Sequence, residues 1–579
     1  MSYPFNSTNQ IQNVDNPPRD RDRWYDLARD KKLEHERNNN KSKTCGSAGF
    51  ISEHEAQNSN LFQPGTGANI CPYLGSFRSK FDNSDKAIYA QSPSIIRNQG
   101  GISFQGSGHN LTVAPTRMGK GSGQIVPNLL TKPGSFLVLD IKGENYKLTA
   151  GYRQRNMGQK LVSFAPFESS TSVWNPFAIK FTEPYEIEEY AVALANLLII
   201  PDIGQDRGFW DDAAKEFLVA LIVYVLTVEL AHKESLHSDD QPVVNERSMR
   251  ELSRLSTLNA EGFNQLLKDM MIADSYIVRR YASSMEQKFM NEGRTGASVL
   301  ATINRNLAVW HHERLYRATY QPSADPEDKE PAPNDFEFSE LLDGNTCIYL
   351  MTPPESLSEY RPVLRVMIGL AIRELIRATQ KQLNNGEDNN NPPVLFLLDE
   401  FPQLHYMSPI EDGLSYLAGY GINLWFFVQD INQLKIHYPR SWMSFFSNCA
   451  AKCFFGVNDL ETATLVSEWI GNETVQQISK TESDSIDKTS YNPIPVKNIS
   501  VTQSPVTRAV MTPDEVMRMP RYEMIIFING LRPIYAELPK YFESEILVQR
   551  TRISPINESQ AVLLWYFFLY WHLFQYSLD

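Results

Sequence analysis

The residues with the clearest chemistry are Ala114-Pro115-Thr116-Arg117-Met118-Gly119-Lys120-Gly121-Ser122-Gly123. An apolar run ending at Val113 precedes them, and a segment able to continue as a helix, Gln124 to Leu130, follows. A strand, a Gly-rich loop, a lysine and a helix start together make a cradle for phosphate. Glycines let backbone N–H groups turn inward, the helix end adds positive potential, and the lysine reaches the outer oxygens. The match to G-x-x-x-x-G-K-[ST] is imperfect. Ala114 holds the first glycine position, and Gly121 holds the hydroxyl position that ordinarily ligates Mg²⁺. That contact then passes to Ser122, Thr116 or water, or catalysis weakens. Taken alone, the stretch also reads as a Gly-rich turn that binds nothing.

A second constellation lies far downstream. Val394 to Leu398 is a near-continuous apolar strand that ends in Asp399-Glu400. An acid at such a strand end holds a divalent metal directly or through water, and a following Glu polarises an attacking water. Gly421 to Val428 forms another buried strand, closed by Gln429, whose amide can sense a terminal phosphate or position water. The bland readings are an acidic strand end and a strand-terminating hydrogen bond. Gly134 to Asp140 is a third apolar run ending in an acid, and Lys142 and Glu144 follow it as either site groups or a surface ion pair.

These segments need a frame. Lys160 to Phe164 and Asn345 to Met351 are further strand candidates, and Arg361 to Lys381 is a long amphipathic helix. Between them the pattern changes. Glu186 to Ile200, Asp211 to Leu230, Ser248 to Ser256, Ala260 to Ala273, Val278 to Glu292 and Ala297 to Ala308 all carry helical spacing. An all-helical insertion therefore separates Lys120 from Asp399, with Gln321 to Asp335 as a Pro- and acid-rich linker. Strands on both sides of it form one parallel sheet. Ile410 to Gly419 is a helix candidate, Asn448 to Val457 and Met524 to Asn529 read as edge strands, and the polar Gly471 to Gln503 reads as a flexible loop or insertion. Thr512-Pro513-Asp514-Glu515 starts a helix.

Composition narrows the classes. The chain has 579 residues, 42% hydrophobic and 21% charged, with a net charge of −13. That charge argues against a broadly basic nucleic-acid coat but leaves room for a narrow basic channel. The five cysteines, Cys45, Cys71, Cys347, Cys449 and Cys453, form no C-x-x-C pair and fit a reduced cytoplasmic protein. Cys449 and Cys453 are spaced to share a helix face, with core packing favoured over metal. No run reaches the roughly 20 apolar residues of a membrane span. Phe217 to Val228, bracketed by Glu216 and Glu229, reads as a buried helix. Residues 1–84 are polar and read as weakly ordered, with Trp24, Tyr25 and Leu27 as a small contact helix or a solvated tail. Residues 546–579 end in a run rich in Trp, Tyr, Phe and Leu that suits docking or a membrane interface.

The order of these motifs resembles the TraG family of type IV secretion coupling proteins, which are conjugative DNA-transfer ATPases. The resemblance rests on the 114–121 loop, Val138-Leu139-Asp140-Ile141-Lys142-Gly143-Glu144-Asn145, Leu398-Asp399-Glu400-Phe401-Pro402 and Gly419-Tyr420-Gly421. It continues through Val428-Gln429-Asp430 leading to Gln433-Leu434, Phe455-Gly456-Val457-Asn458-Asp459 and Met511-Thr512-Pro513-Asp514-Glu515-Val516, covering about residues 85 to 540. Members similar to this chain often carry Gly after the lysine, so Gly121 need not mark a dead site.

The resemblance implies an α/β fold: a RecA-like P-loop nucleotide-binding domain over 85–185 and 336–545, an inserted all-helical domain over 186–335, and a flexible N-terminal region. It implies ATP and Mg²⁺ as cofactors. Thr116, Arg117, Met118, Gly119, Lys120, Gly121 and Ser122 would bind nucleotide, Asp399 the metal, and Glu400 and Gln429 would be catalytic. It further implies a homo-hexamer that moves single-stranded DNA with its relaxase, or protein substrates, to a type IV secretion channel, peripheral to the inner membrane. A nucleotide-binding substrate receptor with little hydrolysis is the alternative. The family's N-terminal transmembrane pair is not seen, so membrane contact would need a partner or the C-terminal tail. No Arg lies between Glu400 and Gln429, and Arg440 and Arg508 are only weak candidates for an arginine finger.

Overall fold

The computed structural model describes residues 47–51, 73–77, 101–103, 108–200, 208–230, 244–291, 293–325, 330–386, 392–486 and 495–556. Trp24, Tyr25, Leu27, Cys45, Cys71 and the aromatic run after residue 556 lie outside them. The described residues fall into two compact units, one within 1–49 and 470–510, the other within 50–469 and 511–579.

The larger unit is built on an 11-stranded sheet. Its strands are β1 (Tyr73–Phe77), β2 (Gly101–Ser103), β3 (His109–Val113), β4 (Phe136–Asp140), β5 (Lys160–Phe164), β6 (Thr346–Met351), β7 (Val394–Leu398), β8 (Ile422–Val428) and β9 (Cys449–Phe454). The other unit contributes β10 (Asn472–Ile486) and β11 (Pro495–Ala509), and the large sheet is completed by β12 (Glu523–Ile528) and β13 (Ile534–Glu537). The order across the large sheet is β2-β1-β13-β12-β9-β3-β8-β7-β4-β6-β5. From β9 to β5 every neighbouring pair is parallel, while β12, β13, β1 and β2 extend it antiparallel. β3, β4, β6 and β7 are buried along their whole length, as strands covered on both faces must be.

Helices cover the sheet and fill the insertion. A five-residue π turn, Gly121–Ile125, leads into α1 (Val126–Thr131), and α2 (Glu144–Asn156) follows β4. Between β5 and β6 come α3 (Pro184–Leu198), α4 (Gly208–Thr227), α5 (Met249–Ser256), α6 (Ala260–Met271), α7 (Tyr276–Asn291), α8 (Gly293–Leu307) and α9 (Glu313–Thr319). Local chemistry sets their starts. Ser248 accepts from the Glu251 N–H and Asn259 from the Gly262 N–H, each satisfying a first-turn donor. In α4, Phe217 to Leu226 are all buried while Glu216 and Glu229 face solvent, so this apolar run is interior packing. No described helix is long and apolar enough to cross a membrane. The later helices are α10 (Leu357–Asn384), α11 (Ser408–Gly413), α12 (Ile431–His437), α13 (Trp442–Asn448), α14 (Leu460–Ile470), α15 (Pro513–Met517) and α16 (Glu545–Thr551).

Two buried arginines hold these layers by their carbonyls. Arg153 of α2 donates to Leu129 O (2.6 Å), Lys132 O (3.1 Å) and Gly134 O (2.9 Å), fixing the turn from α1 into β4. Arg365 of α10 donates to Leu197 O (3.2 Å) at the end of α3, and to Leu404 O (2.9 Å) and Tyr406 O beyond β7. Burial lowers the Arg365 pKa to about 10. Carbonyl dipoles take the place of a carboxylate at both arginines, because a planar guanidinium can reach several oxygens at once.

Several expectations need correction. The described residues within 471–503 are strand rather than loop: β10 and β11 pair over 15 residues each as an antiparallel ribbon. Ile478, Ile499 and Val501 on one face of this ribbon and Ser479, Thr481, Ser500 and Thr502 on the other are all exposed, so neither face there is a core face. β9 and β12 are interior strands, since antiparallel β13, β1 and β2 lie beyond them. Cys449 and Cys453 therefore sit buried on a strand, not on a helix face. The expected helix 410–419 stops at Gly413 and resumes as a 3₁₀ turn, Leu417–Tyr420, closed by left-handed Gly421. Residues 73–77, read as part of the weakly ordered region, form β1 inside the sheet.

Candidate functional site

Parallel strands send their C-terminal ends to one edge, and the sequence's chemical groups collect there. The Gly-rich loop leaves β3, Glu400 follows β7, Gln429 follows β8 and Asp140 ends β4. β8 lies between β3 and β7, so Gln429 falls between the loop and the acids. Crevices at such an edge are where open α/β sheets bind ligands.

The loop is held at both ends. The Ala114 N–H donates to Val428 O at 2.9 Å, tying its start to the end of β8. Arg117 (φ 62°) and Gly119 (φ 104°) take left-handed conformations that reverse the chain. The π turn then begins, and the Gly123 N–H donates to Gly119 O at 2.8 Å. Met118 packs on Gly456, where a Cβ would come within 2.2 Å of the Met118 Cε. Thr116 and Arg117 are exposed on the outer rim; Met118, Gly121 and Ser122 are half-buried. The Ser122 hydroxyl donates to Gly119 O at 3.5 Å.

Lys120 is buried beneath the loop. Its ammonium donates to Ala114 O (2.8 Å) and Pro115 O (3.4 Å) and stands 4.0 Å from Glu400 Oε1. Burial lowers its pKa, while Glu400 and Asp399 pull the other way and Lys142 adds to the lowering. The other Glu400 oxygen, Oε2, accepts from the Gln429 amide at 3.0 Å. Glu400 itself is left-handed (φ 56°), a strained state for a non-glycine residue. Asp399 is pushed up to about 7 by burial first and by Glu400 and Asp140 next, against the pull of Lys120. Asp140 rises to about 6, chiefly by burial. Its Oδ2 accepts the Tyr146 N–H at 2.7 Å, so this acid anchors the start of α2. Lys142 and Glu144 are exposed. Lys120, Glu400 and Gln429 thus form one connected set. Arg440 is exposed on the turn after α12.

Two features escape sequence reasoning. The first is a buried polar chain threading the sheet behind the loop. Trp425 Nε1 donates to Thr112 Oγ1 (3.0 Å), which donates to Gln124 Oε1 (2.8 Å), and the Gln124 amide donates to Leu74 O (2.9 Å). The second is the segment after β13. A Cβ on Gly123 would meet Leu538 Cγ at 2.6 Å, and a Cβ on Gly119 would meet Lys540 Nζ at 2.1 Å. The Lys540 ammonium donates to Met118 O at 3.1 Å. The spacing of Gly119 and Gly123 signals a close approach, but nothing in the sequence names what approaches.

The Gly-rich, lysine-bearing loop on an interior strand of this sheet, with acids two strands away, is that of a RecA-like phosphate-loop fold. Plasmid coupling protein TrwB shares the fold. Its complex with the non-hydrolysable ATP analogue ADPNP matches with a TM-score of 0.54 and 12% identity, over 86% of this chain and 97% of that one. Its complex with ADP and Mg²⁺ gives 0.53 and 12%, over 83% and 96%. The family model for type IV secretory system conjugative DNA transfer matches residues 74–562, and the chain belongs to that family. The conjugal transfer protein TraG of Escherichia coli is 30% identical over 493 residues, 80% of this chain and 72% of its own.

Proposed function

We propose that this chain is an ATPase that couples hydrolysis to moving single-stranded DNA with its relaxase, or a protein substrate, into a type IV secretion channel. The observation that carries the reading is the connected set at the strand ends: Lys120 at 4.0 Å from Glu400, and Glu400 held at 3.0 Å by Gln429. A nucleotide fits this set. The loop offers a helix start, a buried lysine and left-handed glycine backbone, as a phosphate cradle requires. The TrwB complexes with ADPNP and with ADP and Mg²⁺ belong to a protein of the same fold and support the choice of ligand.

In this reading residues 116–122 and the Lys120 ammonium bind the phosphate chain, the ammonium turning from Ala114 O toward it. Asp399 takes the metal, since Mg²⁺ favours one or two carboxylates plus phosphate oxygens. Bound Mg²⁺ would supply charge neutralisation on the β and γ phosphates. Gln429 holds the Glu400 carboxylate in one orientation. Glu400 then accepts the proton of the attacking water as its oxygen bonds to the γ phosphorus and ADP leaves. The loop and both strand-end groups come from 85–185 and 336–545, which we assign as the nucleotide-binding domain, with 186–335 as the helical domain.

A ring of six copies, as the family resemblance implies, would offer repeated basic groups to DNA despite the net charge of −13. Membrane contact would come through a partner protein or through the C-terminal run. The second reading, a nucleotide-binding receptor with little hydrolysis, draws on Gly121, which brings no hydroxyl to the metal position. ATP turnover by the purified chain, with and without single-stranded DNA and across protein concentration, tests the choice. Turnover that rises with DNA and concentration and is lost in Glu400→Gln supports the motor. Binding without turnover under every condition supports the receptor.

A further inference from the structure

We propose that Lys540 is a second phosphate-contacting cation of the nucleotide site, delivered by the turn that follows β13. The inference rests on the reading of the loop as a nucleotide site and adds to it a residue outside every motif of the Gly-rich loop and the strand ends.

Its position carries the argument. The Lys540 ammonium lies on the loop itself, donating to Met118 O at 3.1 Å. A Cβ on Gly119 would fall 2.1 Å from this nitrogen and 3.2 Å from Ser122 Oγ, so the ammonium and the serine hydroxyl both border the left-handed glycine. The segment that brings it is fixed. β13 pairs with both β12 and β1. Leu538, buried, fills the space over Gly123, and its N–H donates to Tyr522 O at 2.7 Å.

The chemistry agrees with the position. An ammonium has three donors, and the Met118 carbonyl takes one. Burial lowers the Lys540 pKa to about 8, with Glu543 pulling it back up, so this cation gives up solvent to lie there. Lys120 is held at the start of the loop, on Ala114 O and Pro115 O. Lys540 is held at its middle. Two lysines therefore meet the loop at separate points, and a polyanion seated on its N–H groups can accept from both. A lysine suits this role as a point charge on a flexible stem, able to leave a carbonyl for a phosphate oxygen.

Equilibrium binding of mant-ATP and mant-adenosine to the full chain tests the proposal, with Lys540→Met, Lys540→Arg and Lys120→Ala. A charge-assisted hydrogen bond removed from a phosphate weakens binding about tenfold to a hundredfold. Lys540→Met keeps the aliphatic stem. It is expected to weaken mant-ATP by that factor, to leave mant-adenosine unchanged and to unfold at the wild-type temperature without nucleotide. Lys540→Arg is expected to recover most of the loss. Binding of mant-ATP within twofold of wild type by Lys540→Met overturns the proposal. So does an equal loss of both ligands or a lowered unfolding temperature, which would make Lys540 a packing residue of the loop. If Lys120→Ala weakens mant-ATP and Lys540→Met does not, the nucleotide site stands and Lys540 falls. If the wild-type chain binds no mant-ATP, both fall.

Discussion

Two glycines of the loop, Gly119 and Gly121, differ in what surrounds them, and that difference gives a sharp prediction. Gly119 has φ 104°, and a Cβ there would displace the Lys540 ammonium from 2.1 Å. The left-handed backbone costs an L-residue about 1–2 kcal/mol. Gly119→Ala should therefore destabilise the nucleotide-free protein by about 1–2 kcal/mol. Gly121 sits two residues away inside the π turn, with no left-handed φ, and its Cβ would meet nothing nearer than Asn145 Oδ1 at 3.9 Å. Replacing a helical glycine that has room for a methyl group stabilises by about 0.4–1 kcal/mol through the unfolded chain. Gly121→Ala should therefore be neutral or slightly stabilising. Thermal unfolding followed by circular dichroism, paired with mant-ATP binding, reads both. The midpoint should fall in Gly119→Ala and hold or rise in Gly121→Ala. A Gly119→Ala protein as stable as wild type, or a Gly121→Ala protein that falls equally far, would refute the account of why these glycines are there.

Other outcomes follow from the same geometry. Lys120→Ala should abolish measurable ATP binding by equilibrium titration while leaving the far-ultraviolet circular dichroism unchanged. Arg365→Met should destabilise by about 3 kcal/mol in urea melts, because the buried carbonyls of Leu197 and Leu404 and the part-buried one of Tyr406 lose their donor together. His109 is buried at the start of β3, accepts the Leu424 N–H at Nδ1 (3.1 Å), and is lowered by burial to about 4. Its neutral form belongs to the fold. The stability it contributes is present above about 6.5 and is lost as pH falls toward 4, by up to about 3 kcal/mol. His109→Gln should flatten that part of the stability profile measured between pH 4 and 7.

Much of this architecture is legible in the sequence, for physical reasons. β4 and β7 are buried on both faces and read as unbroken apolar runs, β8 nearly so, while β3 shows only through Leu111 and Val113; a group just past each strand marks the edge that binds ligands. The helices of the insertion show through their helical apolar spacing, and α5 and α6 also through the capping Ser248 and Asn259. The ribbon of β10 and β11 is silent because a strand exposed on both faces needs no alternation. The interior rank of β9 and β12 is hidden because β13, which covers β12, is only four residues long and reads as no strand by itself. Lys540 is hidden as well: lysine after proline near a strand end is ordinary, and only the folded chain lays it on Gly119.

The pairing of β3 carries a consequence for biosynthesis. Its two neighbours are β8 and β9, and Leu424 donates to His109 across 315 residues of sequence. At translation rates of roughly 5–20 residues per second, the strand bearing the Gly-rich loop waits about 15–60 s for its first partner to leave the ribosome. During that interval an apolar segment with both edges open is a target for holdase chaperones and for association between nascent chains. Slowing elongation between codons 114 and 421 should therefore lower the yield of soluble protein more than slowing it after 455.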